Sequence, residues 1–443
     1  MDYQSIIEKG LKLGITEIEL YVRNARGMVI KLFHGEVESS QISNDGGISI
    51  RGLYNGQIGY AMSEDFSEEA IDYALKKLID NAQTTNAKEI DIIFEGVEEY
   101  PVVSNERANY DDYSTPEKVE LLKNLEKSLL NADPKIRDVG YCQYSEREVD
   151  VKIINSKGLN LSDSYSYIHL FSGVVAAEQD ETAAGYSYDI KTKFKDLETE
   201  RIIKEATEDA LGELGGKPIP SGVYPVVLRN DVFSEILEAF SSVFSGESAM
   251  RNMTQLKDRL GEKVFGDNIN IVDNPFYEES LIKRSFDDEG YPCEETTLVE
   301  NGVFKSFLHN LKTARYHQTK STGNGFKAGL TSPIGVSPTN LYLKPGNQSL
   351  DEMIAGVEKG LFITKCAGLH SGLNPISGAF NLQATGYLIE NGKKTQPVTL
   401  IVVSGNFFEM LNEVEIVGND LIKNLMGVGA PSIKVKSLMV SGK

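Results

Sequence analysis

The feature that most constrains the fold is the stretch from Asp231 to Gly246, DVFSEILEAFSSVFSG, whose apolar residues recur at the spacing of an α-helix. Its apolar face would carry Val232, Phe233, Ile236, Leu237, Phe240, Val243 and Phe244. Its polar face would carry carboxylates and hydroxyls, from Ser234, Glu235, Glu238, Ser241, Ser242 and Ser245. Asn230 or Asp231 can cap the start, and Gly246 can end the helix. We therefore expect a helix that is buried along one side and offers neither histidine nor cysteine on the other.

Around this helix the chain of 443 residues divides into three units with an α+β organisation. Residues 1–95 predict a helix, a run of antiparallel strands joined by hairpins, and a second helix. Residues 113–216 repeat that order with unrelated residues. Residues 222–443 predict a larger, mainly β C-terminal domain with few helices, wrapped around the helix that begins at Asp231.

Turn-forming residues and caps indicate where the strands and helices end. In the first unit, turns are predicted at Asn24, Gly35, Asp45 to Gly47, and Asn55-Gly56. In the second unit, they are predicted at Ser145-Glu146 and at Asn155 to Gly158. Helices are predicted at the N-terminus and over residues 67–82, 114–132, 197–214 and 351–359.

The charge of the chain argues against direct nucleic-acid binding. Its formal net charge is −20, and the acidic residues are spread along the whole sequence. Nucleic-acid binding draws most of its affinity from Lys and Arg side chains that replace counterions on the phosphates. An acidic surface of this kind repels phosphates and is typical of a soluble protein.

Segments that would direct the chain to a membrane or an oxidising compartment are absent from the sequence pattern. No apolar run approaches the roughly 20 residues needed to cross a bilayer, and the N-terminal segment lacks the apolar core of a signal peptide. The three cysteines, Cys142, Cys293 and Cys366, are odd in number and widely spaced, which favours reduced thiols over disulfides. We therefore expect a cytoplasmic protein.

Histidine spacing gives no established metal motif. The chain has five histidines, and no pair has the spacing of HExxH. His309 and His317 are the closest pair and flank a predicted helix, LKTARYH. No P-loop, nucleophile elbow or dinucleotide-binding fingerprint is present either.

Three polar clusters remain as candidate sites, each of which is also typical of ordinary turns. Asp287-Asp288-Glu289-Gly290 could bind a cation or simply face water. Ser321-Thr322-Gly323-Asn324-Gly325 has free N–H groups that could hold a peptide backbone or a carboxylate. Ser404-Gly405-Asn406 follows a strongly apolar strand.

Three long segments, read together, resemble the TldD/PmbA family, also called the modulator of DNA gyrase family. They are DDEGYPCEETTLVENGVFKSFLHNLKTARYHQTKSTGNG from Asp287, GLNPISGAFNLQATGYLIENGKKTQPV from Gly372, and SGNFFEMLNEVEIVGND from Ser404. The resemblance is strong throughout the third unit and extends to the first two through their layout.

That resemblance implies a protein without its own metal site. The catalytic branch of the family is a zinc peptidase with an HExxxH motif and a cysteine near the C-terminus. Here the two histidine positions are Leu237 and Ser242, and only the glutamate, Glu238, remains as a vestige. The segment LIKNLMGVGAPS, where the catalytic branch carries its cysteine, has none. The resemblance therefore implies the PmbA/TldE-like branch, with no catalytic residue and no metal ligand in this chain.

The same resemblance implies partners and a substrate class. The chain would be the non-metal subunit of a heterodimeric peptidase that degrades or processes unfolded or short peptides, with zinc in a TldD-like partner. It would close the cleft and present substrate-binding loops, namely Asp288, Glu289, Gly290, Ser321, Thr322, Gly323 and Asn324. The third unit would make the dimer contact, and the isolated chain could form a homodimer.

Two alternatives stay open at this point. The chain could be a self-sufficient metallopeptidase that uses an unrecognised site such as His309 with the acids at 287–289. It could instead be a regulator that binds DNA gyrase or a toxin directed at gyrase. Stoichiometric metal would support the first alternative, and direct binding to gyrase would support the second.

Overall fold

A computed structural model describes residues 2–84, 91–424 and 426–443 of the chain. It confirms the α+β fold class, with helix and sheet units at the N-terminus and a larger, mainly β region at the C-terminus. None of the helices in these ranges is long and apolar enough to cross a membrane.

The first two predicted units share one six-stranded antiparallel sheet. The helices and strands up to residue 214 are α1 Tyr3–Lys12, β1 Glu17–Phe33, β2 Glu36–Tyr54, β3 Gln57–Ser63, α2 Glu68–Thr84, α3 Thr115–Leu130, β4 Ile136–Asn155, β5 Asn160–Glu178, β6 Glu181–Lys191 and α4 Thr199–Glu213. The strand order is β3-β2-β1-β4-β5-β6, so the pairing of β1 with β4 joins the two halves. The division of the chain at 1–95, 113–216 and 222–443 stays a prediction.

Strand continuity overturns three of the predicted turns. The hairpins at Gly35, at Asn55-Gly56 and at 155–158 are present, but the turns at Asn24, at 45–47 and at 145–146 are wrong. Asn24 pairs with Gly46 in the unbroken register of β1 and β2. Pairing on both sides of β1 and β4 keeps these segments extended, because each backbone N–H and C=O finds a partner in a neighbouring strand.

The C-terminal region contains two further six-stranded sheets and a two-stranded one. Its helices and strands are β7 Gly222–Leu228, α5 Asn230–Phe240, α6 Gly246–Met250, β8 Ile271–Asp273, β9 Thr296–Glu300, β10 Val303–Phe304, α7 Leu311–Tyr316, β11 Gly325–Lys327, β12 Ile334–Val336, β13 Leu341–Leu343, α8 Leu350–Ala355, β14 Lys359–Ala367, β15 Ala379–Glu390, β16 Lys393–Asn406, α9 Phe407–Asn412, β17 Val414–Val417, β18 Ile422–Lys423, β19 Gly429–Ala430 and β20 Ile433–Ser441. One six-stranded sheet has the order β16-β15-β14-β7-β20-β17 and the other β10-β9-β8-β13-β19-β18. Residues of both sheets and of α5 belong to the largest hydrophobic core.

The helix α5 is shorter than the sequence predicts. It ends at Phe240, and a 3₁₀ turn over Ser241–Phe244 follows. Gly246 does not end the helix; it begins α6, which the side chain of Ser245 caps. A Cβ atom at Gly246 would lie 2.3 Å from Nδ1 of His309, so this position requires glycine because of a close approach. The predicted apolar face is buried from Val232 to Phe244, as expected.

Candidate functional site

A cleft lies along the outer edge of β6. Its volume is about 590 Å³, and its walls come from β6, α4, the first half of α5, β14 and β18. These segments are distant in sequence, and the fold brings them together where β7 leads directly into α5. The polar side of α5 therefore faces an open space, while its apolar side faces the core.

Arg229 fixes the start of α5 against α4. Its guanidinium donates to both carboxylate oxygens of Asp209, at 2.7 and 2.9 Å, and to Asp231 at 2.7 Å. Such a two-pronged pair holds both partners in a defined orientation. The positive charge of Arg229 is thereby neutralised inside the cleft wall.

The other cations of this wall on α4 and β14 are also paired. Arg201 donates to Asp189 at 3.1 Å and to Glu205 at 2.7 Å. Lys365 lies 3.0 Å from a carboxylate oxygen of Glu213. None of these three cations is therefore free to neutralise a further carboxylate.

Glu235 is a carboxylate that none of these three cations neutralises. It lines the cleft, and within the described part of the chain it has no ion pair and accepts no hydrogen bond. Burial, followed by the negative charges of Asp231 and Glu238, raises the pKa of Glu235 to about 7, although Arg229 lowers it. Glu235 thus faces the cleft as an acid that is half protonated near neutral pH.

The three motif positions on and after α5 do not converge on one point. The side chain of Leu237 is 0% exposed and belongs to the hydrophobic core. Ser242 lies on the 3₁₀ turn beyond the end of α5 and is exposed. Glu238 accepts a hydrogen bond from Nδ2 of Asn424 at 2.5 Å. Leu237 and Ser242 offer an aliphatic side chain and an exposed hydroxyl in place of the thiolate, imidazole or carboxylate groups that usually bind zinc, and the carboxylate of Glu238 is held by an amide donor.

The loop around β18 lies directly against α5. Nδ2 of Asn230 donates to the carbonyl oxygen of Asp420 at 2.8 Å, and the N–H of Ala430 donates to Oγ of Ser234 at 2.8 Å. The loop therefore buries Ser234. The sequence had predicted that Ser234 lies on an open polar face, and that prediction is wrong.

Lys423 anchors the same loop on its other side. Its ammonium lies 3.4 Å from the ring centre of Tyr277 and 4.8 Å from that of Tyr342, and donates to Oγ of Ser280 at 3.1 Å. Burial lowers the pKa of Lys423 to about 7. Cation–π contacts of this kind hold the loop in place without a carboxylate partner.

The acidic cluster at 287–289 is buried, so the expectation that it could face water is wrong. Asp287, Asp288 and Glu289 are 1%, 9% and 3% exposed. Asp287 accepts hydrogen bonds from the N–H groups of Glu289, Tyr291 and Gly325, and Asp288 accepts one from Lys327. Burial raises the pKa of Asp287 above its usual range. These carboxylates hold the local backbone together.

The loop at 321–324 packs against the same region. The carbonyl oxygen of His309 accepts hydrogen bonds from Oγ of Ser321 and from the N–H groups of Thr322 and Asn324. Nδ2 of Asn324 donates to buried Asp273 at 2.7 Å. Gly323 has a φ of +71°, which favours glycine.

The fold therefore brings the two predicted substrate-binding loops together, but at a distance from the cleft along β6. They meet around His309 and Gly325, and none of their seven predicted residues lines the cleft along β6. Contact of these residues with a substrate stays a prediction. Sequence reasoning named Ser234 and Glu235 on the polar face of α5 but missed Asp209, Arg229 and Asn424, because these cleft residues come from separate elements and share no local motif.

His309, which is buried, lies beside the partly buried His317. Their ring centres are 5.4 Å apart; His309 lies 3.2 Å from Oγ1 of Thr313, and His317 lies 3.0 Å from the carbonyl oxygen of Gly246. Burial, and then the charge of His317, lowers the pKa of His309 to about 4. Over the three described ranges, no group of three or more His, Cys, Asp or Glu side chains is placed to hold a metal ion.

Comparison with protein families places this arrangement in a known group. Models of three PmbA/TldA metallopeptidase domains match the chain in succession: domain 1 over residues 18–82, the central domain over 108–214, and the C-terminal domain over 221–442. Metalloprotease PmbA of Escherichia coli O157:H7 is 26% identical, covering 96% of this chain and 92% of its own length.

Solved structures agree with this assignment. A candidate modulator of a DNA gyrase from Thermotoga maritima is 32% identical and has a TM-score of 0.91, with 99% of each chain covered. TldE from Thermococcus kodakarensis shares the fold, with a TM-score of 0.89 at 22% identity and 99% of each chain covered. The chain therefore belongs to the PmbA/TldD family of metallopeptidases.

Proposed function

We propose that this chain is the non-metal subunit of a heterodimeric PmbA/TldD-type peptidase and that a TldD-like partner supplies the zinc. The observation that carries the proposal is the hydrogen bond between Asn424 and Glu238, formed where the catalytic branch would bind its metal. The amide proton of Asn424 occupies one oxygen of the surviving glutamate. A cation at that oxygen would have to displace this donor.

Core packing supports the same reading. A metal ligand at position 237 would have to leave the hydrophobic core, where the side chain of Leu237 is fully buried. Replacing an aliphatic side chain there with an imidazole would bury a polar ring without a partner, which is costly. Burial at Leu237 thus opposes a return to the catalytic motif.

The role of such a subunit is physical. It forms one wall of a cleft that admits an extended chain, and it excludes folded proteins by its limited width. Its substrate class is unfolded or short peptides, and its place is the cytoplasm. In the absence of the partner the C-terminal region can pair with a second copy, since related subunits present similar surfaces.

The test is to measure zinc content and peptidase activity for the chain alone, for a TldD-like partner alone, and for the mixture. We expect well under one zinc per chain here, little activity from either chain alone, and activity in the mixture. A mixture in which the HExxxH glutamate of the partner is replaced by glutamine should be inactive. One tightly held zinc per chain, or peptide cleavage by this chain alone, would overturn the proposal in favour of a self-sufficient metallopeptidase.

A further inference from the structure

Among the residues that the structure describes, no helix packs on the sheet face that carries Tyr141, Phe171 and Tyr186, opposite the face that α3 and α4 cover. Along β5 the side chains alternate, with Ile168 and Leu170 buried against α3 and α4 while His169 and Phe171 are only partly buried on the opposite side. Tyr141 on β4 is 67% exposed and Tyr186 on β6 is 46% exposed. Aromatic rings therefore lie exposed side by side on this face of the sheet.

These rings form a connected row, which we call the aromatic face: Tyr141, His169, Phe171, Tyr186 and Tyr188. The ring centres of Tyr141 and Phe171 are 6.1 Å apart, as are those of Phe171 and Tyr186. His169 lies 5.8 Å from Tyr188, which pairs directly with Phe171 across the strands. The row therefore crosses the sheet from β4 to β6.

The row leads into the cleft described above. Tyr186 and Tyr188 belong both to the aromatic face and to the cleft wall, which they share with Glu235. Glu235 is near enough that its charge, after burial, helps to raise the pKa of Tyr188 to about 12. An elongated ligand can thus lie on the aromatic face and reach Glu235.

The charged side chains of the cleft favour a ligand that carries a positive charge. Arg201, Arg229 and Lys365 are each paired with carboxylates, and Lys423, which also lines the cleft, is held over the rings of Tyr277 and Tyr342. Glu235 has no cation within 4.0 Å among the residues that the structure describes. The aromatic face also accepts cations, since Lys365 already lies 5.6 Å from the ring centre of Tyr186. A positively charged group fits here, and a carboxylate does not.

The ring spacing matches an extended peptide. In such a chain, side chains on the same side are roughly 7 Å apart, because each residue advances the chain by about 3.3 Å. This separation is close to the 6.1 Å between successive rings. Alternate residues of a peptide that crosses the strands would therefore meet successive rings of the aromatic face.

We propose that the aromatic face and the adjoining cleft bind one extended peptide, with a basic side chain at Glu235 and apolar or aromatic side chains over Phe171 and Tyr141. This inference rests on the proposed function and adds a substrate class to it, namely peptides that combine basic and aromatic residues. A second copy of the chain would be the competing occupant of the aromatic face.

The absence of tryptophan from the protein gives a direct binding assay. The probe is a blocked pentapeptide, acetyl-Lys-Gly-Trp-Gly-Trp-amide, whose tryptophan fluorescence is followed as full-length protein is added. Two control peptides replace Lys by Glu, or the first Trp by Ala. We expect each control to bind about tenfold more weakly, as loss of one charge or ring contact implies.

Variants of the protein assign the contacts. Glu235→Gln should weaken the lysine peptide about tenfold and leave the glutamate peptide unchanged or tighter, and Tyr186→Leu should weaken both tryptophan-rich peptides. Matched controls are Glu69→Gln and Tyr73→Ala, which change an exposed acid and an exposed ring on α2. Circular dichroism of each variant verifies that it is folded. Tyr186→Phe, which keeps the ring, should bind as the unaltered protein does.

Two results would overturn the inference. One is an affinity that does not depend on peptide charge or on residues 186 and 235. The other is a homodimer whose dissociation is required before peptide binds and in which Tyr141 is buried, as measured by sedimentation and by hydrogen exchange of β4 and β6. Neither result depends on zinc content or on the partner chain, so it would leave the proposed subunit role untouched.

Discussion

Glu238 and Asn424 are 186 residues apart in the chain, yet the Asn424 amide donates to the Glu238 carboxylate at 2.5 Å. Oδ1 of the same asparagine accepts from the N–H groups of Met426 and Val428, so one side chain links α5 to the loop that follows β18. Burial raises the pKa of Glu238, and the hydrogen bond from Asn424 opposes that shift. The carboxylate of Glu238 therefore has a neutral donor as its partner.

The first prediction concerns this contact. Asn424→Ala should lower the free energy of unfolding by about 1–3 kcal/mol, because it leaves a partly buried carboxylate and two loop N–H groups without their partner. Urea denaturation of Asn424→Ala, of Glu238→Ala and of the variant that combines both changes gives the coupling energy between the two side chains. We expect about 1 kcal/mol of coupling, and additive effects would show that the hydrogen bond contributes nothing to stability.

The second prediction concerns restoring the motif. Leu237→His combined with Ser242→His should bind no zinc, because position 237 lies in the core and position 242 lies beyond the end of α5. The Leu237→His change alone should cost about 3 kcal/mol or more, since it buries an imidazole and leaves packing space unfilled. Elemental analysis and denaturation of the purified variants measure both effects.

The matched control for that experiment is Ser242→His alone. This position is exposed, so the variant should unfold at nearly the same denaturant concentration as the unaltered protein. Stoichiometric zinc in the double variant would show that α5 can rotate or extend, and the argument from core packing would then fail.

The sequence predicts a structural feature well when the residues that interact are close to each other along the chain. Helical spacing correctly placed Leu237 in the core, and glycine turns correctly placed the hairpins at Gly35 and Asn55-Gly56. Those features depend on neighbours a few residues away. The false turn at Ser145-Glu146 has another origin, since β4 pairs with β1 and β5 on both sides.

Burial of polar residues was the least predictable feature. Asp287 resembles a solvated turn residue, but N–H groups from the distant Gly325 segment make it a buried acceptor. Ser234 has the spacing of an exposed helix face, but the loop that ends at Ala430 covers it. The cleft residues were equally hard to predict from the sequence. Arg229 fixes the start of α5 only because the fold places Asp209 of α4 beside it.

The third prediction is a pH dependence that comes from Glu235. The folded pKa of about 7 lies above the ordinary value of 4.5, so the folded state binds more protons than the unfolded state between these values. The stabilisation is fully present below pH 4.5 and is lost as the pH rises through 7. Glu235→Gln should therefore be more stable than the unaltered protein at pH 8, by about 1 kcal/mol after allowance for solvent screening.

Thermal unfolding across this pH range tests the assignment. The difference between the two proteins should shrink as the pH falls from 8 toward 5, because protonated Glu235 no longer repels Asp231 and Glu238. Glu69→Gln, an exposed change on α2, should show a difference that is small at every pH. A pH-independent difference for Glu235→Gln would contradict the raised pKa.

The fourth prediction concerns the contact between the N-terminal sheet and the C-terminal region. Nε of Arg51, on β2, donates to Glu19 on β1 at 2.6 Å, and its Nη1 lies 3.8 Å from Glu289. All three side chains are buried. Arg51→Met should lower the free energy of unfolding by about 3–5 kcal/mol, because it leaves two buried carboxylates without their cation.

Denaturation of Arg51→Met should show a lower midpoint than that of the unaltered protein. The control Arg137→Met, at an exposed arginine of β4, should unfold like the unaltered protein. Equal midpoints for the two variants would mean that water or another cation already neutralises Glu19 and Glu289.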